Sequence, residues 1–120
     1  MPYSDAFKEH LANPRNAGTL EDADVEVEQS NPVCGDRLRL ALRVRGGRVE
    51  AARFLAYGCP PTIVCGSALA GMLEGMTLEE AALVTRAEIA GAAGGLPPRR
   101  QHAAALAHEA LQEALKRLRA

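Results

Sequence analysis

Aromatic residues are scarce in this sequence. Its 120 residues include two Tyr, two Phe and no Trp, and aromatics make up 3% of the chain. The hydrophobic core must therefore be aliphatic and built largely from Leu, Val and Ala. A chain of this length suits one domain and can bury a modest core of its own. We expect a single domain spanning residues 1–120.

Long apolar runs and export signals are also lacking. No apolar segment approaches the ~20 residues that a membrane-spanning helix needs. The N-terminal segment MPYSDAFKEH is polar and contains acids, which is unlike a signal peptide. These features predict a cytoplasmic protein that has no membrane partner.

An excess of basic residues is missing as well. Lys and Arg number 14 and Asp and Glu number 15, which gives a net charge of -1. Nucleic-acid binders normally carry a positive excess. Residues 37–45 include several arginines on one strand face, but the acids Asp24, Glu26 and Glu28 can neutralise them across the sheet. We therefore expect a solvated sheet face and no nucleic-acid partner.

The pattern of apolar residues predicts an α+β domain. Residues 24–28 and 37–45 alternate with the period of a strand. Gly46-Gly47 suits a two-residue hairpin turn into a third strand, 48–57, whose phase shifts toward Phe54 as at a β-bulge. The segments with helical patterns are 4–12, 61–75, 77–84, 86–90 and 101–118. This order predicts a three-stranded antiparallel sheet with helices packed on one face.

Residues that can bind metal lie at turns. Cys34 comes just before the second strand and Cys59 just after the third, so hairpin topology brings both thiols to one end of the sheet. Asp36 lies at the same edge, and His102 begins the last helix. Two thiolates, one nitrogen and one oxygen suit tetrahedral zinc or a labile two-iron cluster. The cysteine count of three, without an export signal, favours thiol ligands in a reducing compartment over disulfides.

Several segments carry a family resemblance. They are residues 13–18 (NPRNAG), 31–36 (NPVCGD), 52–54 (ARF), 57–59 (YGC) and 96–98 (LPP), the last followed by a basic residue and His102. In order and spacing, the chain resembles the IscU-type iron–sulfur cluster assembly scaffolds, which also form the N-terminal domain of NifU. The resemblance covers nearly the whole chain.

This resemblance implies a scaffold or carrier rather than an enzyme. Such a protein accepts sulfur as persulfide from a cysteine desulfurase, assembles a [2Fe-2S] cluster with iron and passes it to apo-proteins. By the same resemblance, Cys34 and Cys59 are ligands and sulfur acceptors. Asp36 keeps the cluster labile, and His102 can ligate zinc.

Two positions depart from the family pattern. The family's third cysteine directly follows the histidine, but here that position is Ala103, which can neither ligate metal nor carry persulfide. The family's Leu-Pro-Pro-Val-Lys segment docks an Hsp70-type chaperone. Here the docking residues would be Leu96, Pro97, Pro98 and Arg100, and Arg99 replaces the apolar valine. We therefore expect chaperone docking to be weakened.

The missing thiol leaves alternatives open. Cys65 is a candidate substitute ligand, although a buried cysteine more often acts as a small hydrophobic residue. We expect His10 to pack rather than ligate, and His108 to be solvated. Two other functions compete with the scaffold. One is a degenerate paralogue that keeps a structural zinc and regulates the assembly machinery, and the other is a persulfide sulfur-relay protein.

Overall fold

A computed structural model of the chain describes residues 3–32 and 35–119. The described strands are β1 (Val25–Asn31), β2 (Asp36–Arg45) and β3 (Arg48–Tyr57). The described α-helices are α1 (Asp5–Ala12), α2 (Pro60–Leu73), α3 (Leu78–Ala82), α4 (Arg86–Ala92) and α5 (His102–Arg119), and a 3-10 turn (Pro98–Arg100) precedes α5. Among these elements, no helix has the length and apolar character needed to span a membrane.

The strands form one antiparallel sheet in the order β1-β2-β3. Gly46 and Gly47 both have positive φ, 62° and 76°, as a tight turn between right-twisted strands requires. The register shifts near this turn, because Ala51 faces Arg43 whereas Val49 faces Val44. The extra residue of β3 forms the expected bulge. The bulge turns the side chains that follow it in β3 toward the core.

Helices cover one face of the sheet, so the predicted α+β architecture is confirmed. The buried face of the sheet includes Leu38, Leu40 and Phe54, and α2 and α5 pack against it. A Cβ at Gly66 in α2 would lie 2.5 Å from the Phe54 ring. Glycine at this position therefore allows the close approach of α2 to the sheet.

The opposite sheet face is solvated and several of its charges are paired. Arg39 lies 3.3 Å from Glu28 across the β1-β2 pair, as the sequence predicted. Arg43 and Arg45 each lie 2.7 Å from Glu50, which belongs to β3. The acidic first strand therefore accounts for only part of the neutralisation.

Some boundaries differ from the sequence-based expectation. β1 continues to Asn31 rather than ending at residue 28. Residues 13–18, which precede β1, hydrogen-bond to the edge of β3: Phe54 N–H donates to Asn16 O and Gly18 N–H donates to Phe54 O. Helix α4 extends to Ala92 rather than ending at residue 90, and a capping box of Thr85 and Glu88 stabilises its N-terminal end.

Candidate metal centre

Asp36 is the innermost residue of the candidate site. It begins β2 and is only 1% exposed, and a buried carboxylate is costly unless it is hydrogen-bonded. The backbone N–H of Cys59 donates to Asp36 Oδ1 at 3.0 Å. The Cys59 thiol lies 3.5 Å from Oδ2, and His102 Nε2 lies 3.1 Å from the same oxygen. The carboxylate therefore links the sheet to the N-terminal ends of α2 and α5.

These contacts decide the charge state of Asp36. Burial raises its pKa, but hydrogen bonds from the Cys59 backbone and thiol, from His102 and from Thr62 lower it by more. The net result is a pKa below the ordinary 3.8. Asp36 is therefore an anion at neutral pH and accepts hydrogen bonds from the groups around it.

Cys59 lies at the N-cap of α2, with extended backbone angles of φ -74° and ψ 156°. Pro60 and Pro61 follow, and proline is favoured where a helix begins. The preceding Gly58 has φ +131°, and a Cβ there would overlap the carboxylate of Asp36. A side chain at position 58 would therefore displace the carboxylate.

His102 completes a cluster of three different donor types. It is the first residue of α5 and lies partly exposed. One ligand atom each from Asp36, Cys59 and His102 lies within 4.8 Å of the others. Ligands bound tetrahedrally at ~2.0–2.3 Å stand roughly 3.3–3.8 Å apart, and Asp36 Oδ2 lies 3.5 Å from Cys59 Sγ and 3.1 Å from His102 Nε2. Sulfur, nitrogen and oxygen donors at this spacing suit zinc or iron.

Cys34, the other predicted thiol ligand, lies outside the described residues. Its part in the site stays a prediction. Gly35, the residue after Cys34, is hydrogen-bonded to the end of β1, because its N–H donates to Asn31 O at 2.7 Å.

Cys65 lies in the core rather than with the converging donors. Its side chain is fully buried in α2 among the hydrophobic residues. Burial, together with the nearby Cys59, raises the pKa of the Cys65 thiol to about 12. Metal ligation requires the thiolate. This environment favours the role of a small hydrophobic residue, and ligation by Cys65 stays a prediction without support from its surroundings.

The other histidines have structural partners. His10 Nδ1 lies 2.8 Å from Ser67 Oγ, and His10 Nε2 lies 3.1 Å from Ala92 O. It thus ties α1 to α2 and to the end of α4, which confirms the expected packing role. His108 is partly exposed and lies 3.4 Å from Gln112.

The segment before α5 is split between core and surface. Leu96 is 8% exposed and belongs to the core, whereas Pro98, Arg99 and Arg100 are exposed. The predicted chaperone-docking segment thus presents two arginines to solvent. Ala103, at the position of the family's third cysteine, is fully buried.

Thr62 is a site residue that sequence reasoning missed. It is fully buried in the first turn of α2, with its Oγ1 3.5 Å from Cys59 Sγ, and its side chain also hydrogen-bonds Asp36. No motif marks it, because threonine in a first helical turn is common. Its spacing of three residues from Cys59 was the available signal, since such residues share a helix face.

Comparisons with known proteins show what the chain is similar to. The model of the NifU-like N terminal domain family matches residues 2–120. The iron-sulfur cluster assembly scaffold protein IscU 1 of Archaeoglobus fulgidus is 42% identical over 113 residues, covering 94% of this chain and 74% of that protein. The scaffold protein IscU of Azotobacter vinelandii is 38% identical over 120 residues, covering 97% and 93%.

A solved structure supports the fold. The N-terminal part of a NifU-like protein from Brucella abortus superposes with a TM-score of 0.77, covering 97% of this chain and 93% of that one. Its sequence identity is 17%, so this likeness concerns the architecture alone.

Proposed function

Because the chain belongs to the NifU-like N-terminal domain family, we propose that it is a scaffold for iron–sulfur cluster assembly. Relatives that it matches over most of its length are named as such scaffolds. The convergence of Asp36, Cys59 and His102 is the observation that carries the proposal. In this role the chain builds a [2Fe-2S] cluster and releases it to apo-proteins.

A site with sulfur, nitrogen and oxygen donors suits a metal cluster that the protein must later release. Asp36 accepts hydrogen bonds from Cys59 and His102. Metal binding must displace part of this network, and release of the metal restores it. These hydrogen bonds therefore compete with metal binding and favour release.

The cluster's ligands are proposed to be Cys34, Asp36, Cys59 and His102. Sulfur arrives from a cysteine desulfurase as the outer sulfur of its persulfide. The Cys59 thiolate attacks that sulfur, a new S–S bond forms, and the desulfurase cysteine leaves as a thiolate. Two electrons from a reductant of the thiol class then release the sulfur as sulfide, and Cys59 becomes a thiolate ligand.

Anaerobic reconstitution tests this function. The protein is mixed with ferrous iron, free cysteine and a cysteine desulfurase, and visible absorption and acid-labile sulfide are measured. We expect a cluster chromophore in the wild type and its loss in Cys59→Ala. Ser67→Ala, which removes a buried hydroxyl elsewhere on α2, should keep it. A wild type that forms no chromophore and no persulfide would show that the chain is not a scaffold.

The same samples separate the competing functions. Mass spectrometry detects persulfide on Cys59 after desulfurase treatment. Persulfide without a cluster would indicate a sulfur-relay protein. Zinc that resists replacement by iron, with no persulfide, would indicate the degenerate paralogue.

A further inference from the structure

Thr62 connects two of the proposed ligands. It is the third residue of α2, and its backbone N–H donates to Cys59 O at 3.0 Å. Its side chain is fully buried. A buried hydroxyl needs hydrogen-bond partners, and threonine within a helix commonly finds one in a carbonyl of the preceding turn. The hydroxyl oxygen instead lies 3.5 Å from Cys59 Sγ, and the Thr62 side chain is also among the groups that lower the pKa of Asp36.

The hydroxyl can serve only one acceptor at a time. It has a single proton and two lone pairs. In the metal-free protein the charged Asp36 is the stronger acceptor, and the Cys59 thiol lies 3.5 Å from both Thr62 Oγ1 and Asp36 Oδ2. A metal that binds Asp36 engages carboxylate lone pairs and requires Cys59 as a thiolate. The hydroxyl proton then has a new acceptor in the sulfur.

We propose that Thr62 is a positioning residue of the metal centre, whose hydroxyl donates a hydrogen bond to the Cys59 thiolate when a metal is bound. This inference rests on the proposed metal-binding function. A hydrogen bond to a ligating sulfur withdraws electron density from it and tunes the metal. Thr62 therefore affects both the affinity of the site and the electronic character of the bound metal.

A titration with Co²⁺ alone tests the role of Thr62. Cobalt reports sulfur ligation through a sulfur-to-metal charge-transfer band. Thr62→Val removes the hydroxyl and keeps the branched shape. Outer-shell partners of metal ligands typically contribute about 10–100-fold in affinity. We therefore expect affinity to fall by about tenfold or more and the charge-transfer band to move to lower energy. Thr62→Ser, which keeps the hydroxyl, should restore both.

Ser67→Ala is the matched control that separates a loss of stability from a loss of metal binding. Ser67 is also a fully buried hydroxyl on α2, but its partners are His10 and the Arg15 backbone N–H. We expect this variant to alter thermal stability while leaving the cobalt affinity and band position unchanged. Any effect common to both variants would then reflect folding rather than the site.

The outcomes separate this inference from the proposed function. If Cys59→Ala abolishes the charge-transfer band and Thr62→Val leaves affinity and band position as in the wild type, the role of Thr62 is refuted and the metal site stands. The same holds if Ser67→Ala weakens cobalt binding as much as Thr62→Val. If the wild type gives no sulfur-to-cobalt band, both proposals are overturned.

Discussion

His102 Nε2 lies 3.1 Å from Asp36 Oδ2, although the two residues are 66 positions apart. This contact ties the first turn of α5 to the first residue of β2. Asp36 is buried and charged, so it depends on each of its donors. The residues of the candidate metal centre therefore also hold the start of α5 against the sheet.

Replacing His102 should destabilise the metal-free protein. His102→Ala removes one donor from a buried carboxylate, which typically costs about 1–3 kcal/mol. His108→Ala is the control on the same helix, because His108 has only a 3.4 Å contact with Gln112 and surface changes usually stay within about 0.5 kcal/mol. Urea denaturation in the presence of a chelator measures both. Equal free energies of unfolding for the two variants would contradict a stabilising role for the contact between His102 and Asp36.

Gly58→Ala should disrupt the site even though it adds only one methyl group. The added Cβ would overlap the Asp36 carboxylate. The backbone φ of +131° at position 58 also strains any residue other than glycine. We expect lower stability and loss of metal binding. Gly71→Ala is the control, because it lies in α2 with open space around the added Cβ. It should stabilise by about 0.5–1 kcal/mol. Metal binding by Gly58→Ala at wild-type affinity would count against the close packing of Gly58 on Asp36.

Cys65 should resist alkylation in the folded protein. Burial raises its pKa to about 12, so the reactive thiolate is scarce at pH 8, and its side chain is buried. Iodoacetamide followed by peptide mass spectrometry should modify Cys59, which is partly exposed, and leave Cys65 intact. The denatured chain supplies the control, in which Cys65 becomes labelled. Rapid native labelling of Cys65 would show that it is accessible and reopen its role as a ligand.

Restoring the family's third thiol should prolong cluster binding. Ala103 directly follows His102, so Ala103→Cys adds a thiol at the position where the family resemblance implies a third cysteine. The test is the decay rate of the reconstituted chromophore in air. We expect slower decay than in the wild type. Because Ala103 is fully buried, the urea midpoint must be measured alongside. An unchanged decay rate in a variant with wild-type stability would show that position 103 does not reach the metal.

The sequence predicted the parts of the site that depend on topology. The hairpin between β2 and β3 places Asp36 and Cys59 together whatever the side-chain packing, and this followed from strand periodicity and Gly46-Gly47. The pattern of residues offered His102 as a donor at the start of α5, but the family resemblance was needed to place it at the site, since its contact with Asp36 depends on how α5 crosses the sheet.

Other features depend on packing that a linear pattern does not encode. Thr62 becomes part of the site only because the first turn of α2 is buried against Asp36. The requirement for Gly58 arises from the position of the carboxylate and not from the turn alone. The edge contacts of residues 13–18 on β3 likewise depend on tertiary placement.

The metal content of protein purified without oxygen tests the central claim most directly. Iron and zinc are measured per chain in the wild type, Cys59→Ala and Cys65→Ala, each checked for folding by circular dichroism. The site at Asp36, Cys59 and His102 predicts bound metal in the wild type and in Cys65→Ala, and its loss in Cys59→Ala. Wild-type metal content in folded Cys59→Ala would contradict the site.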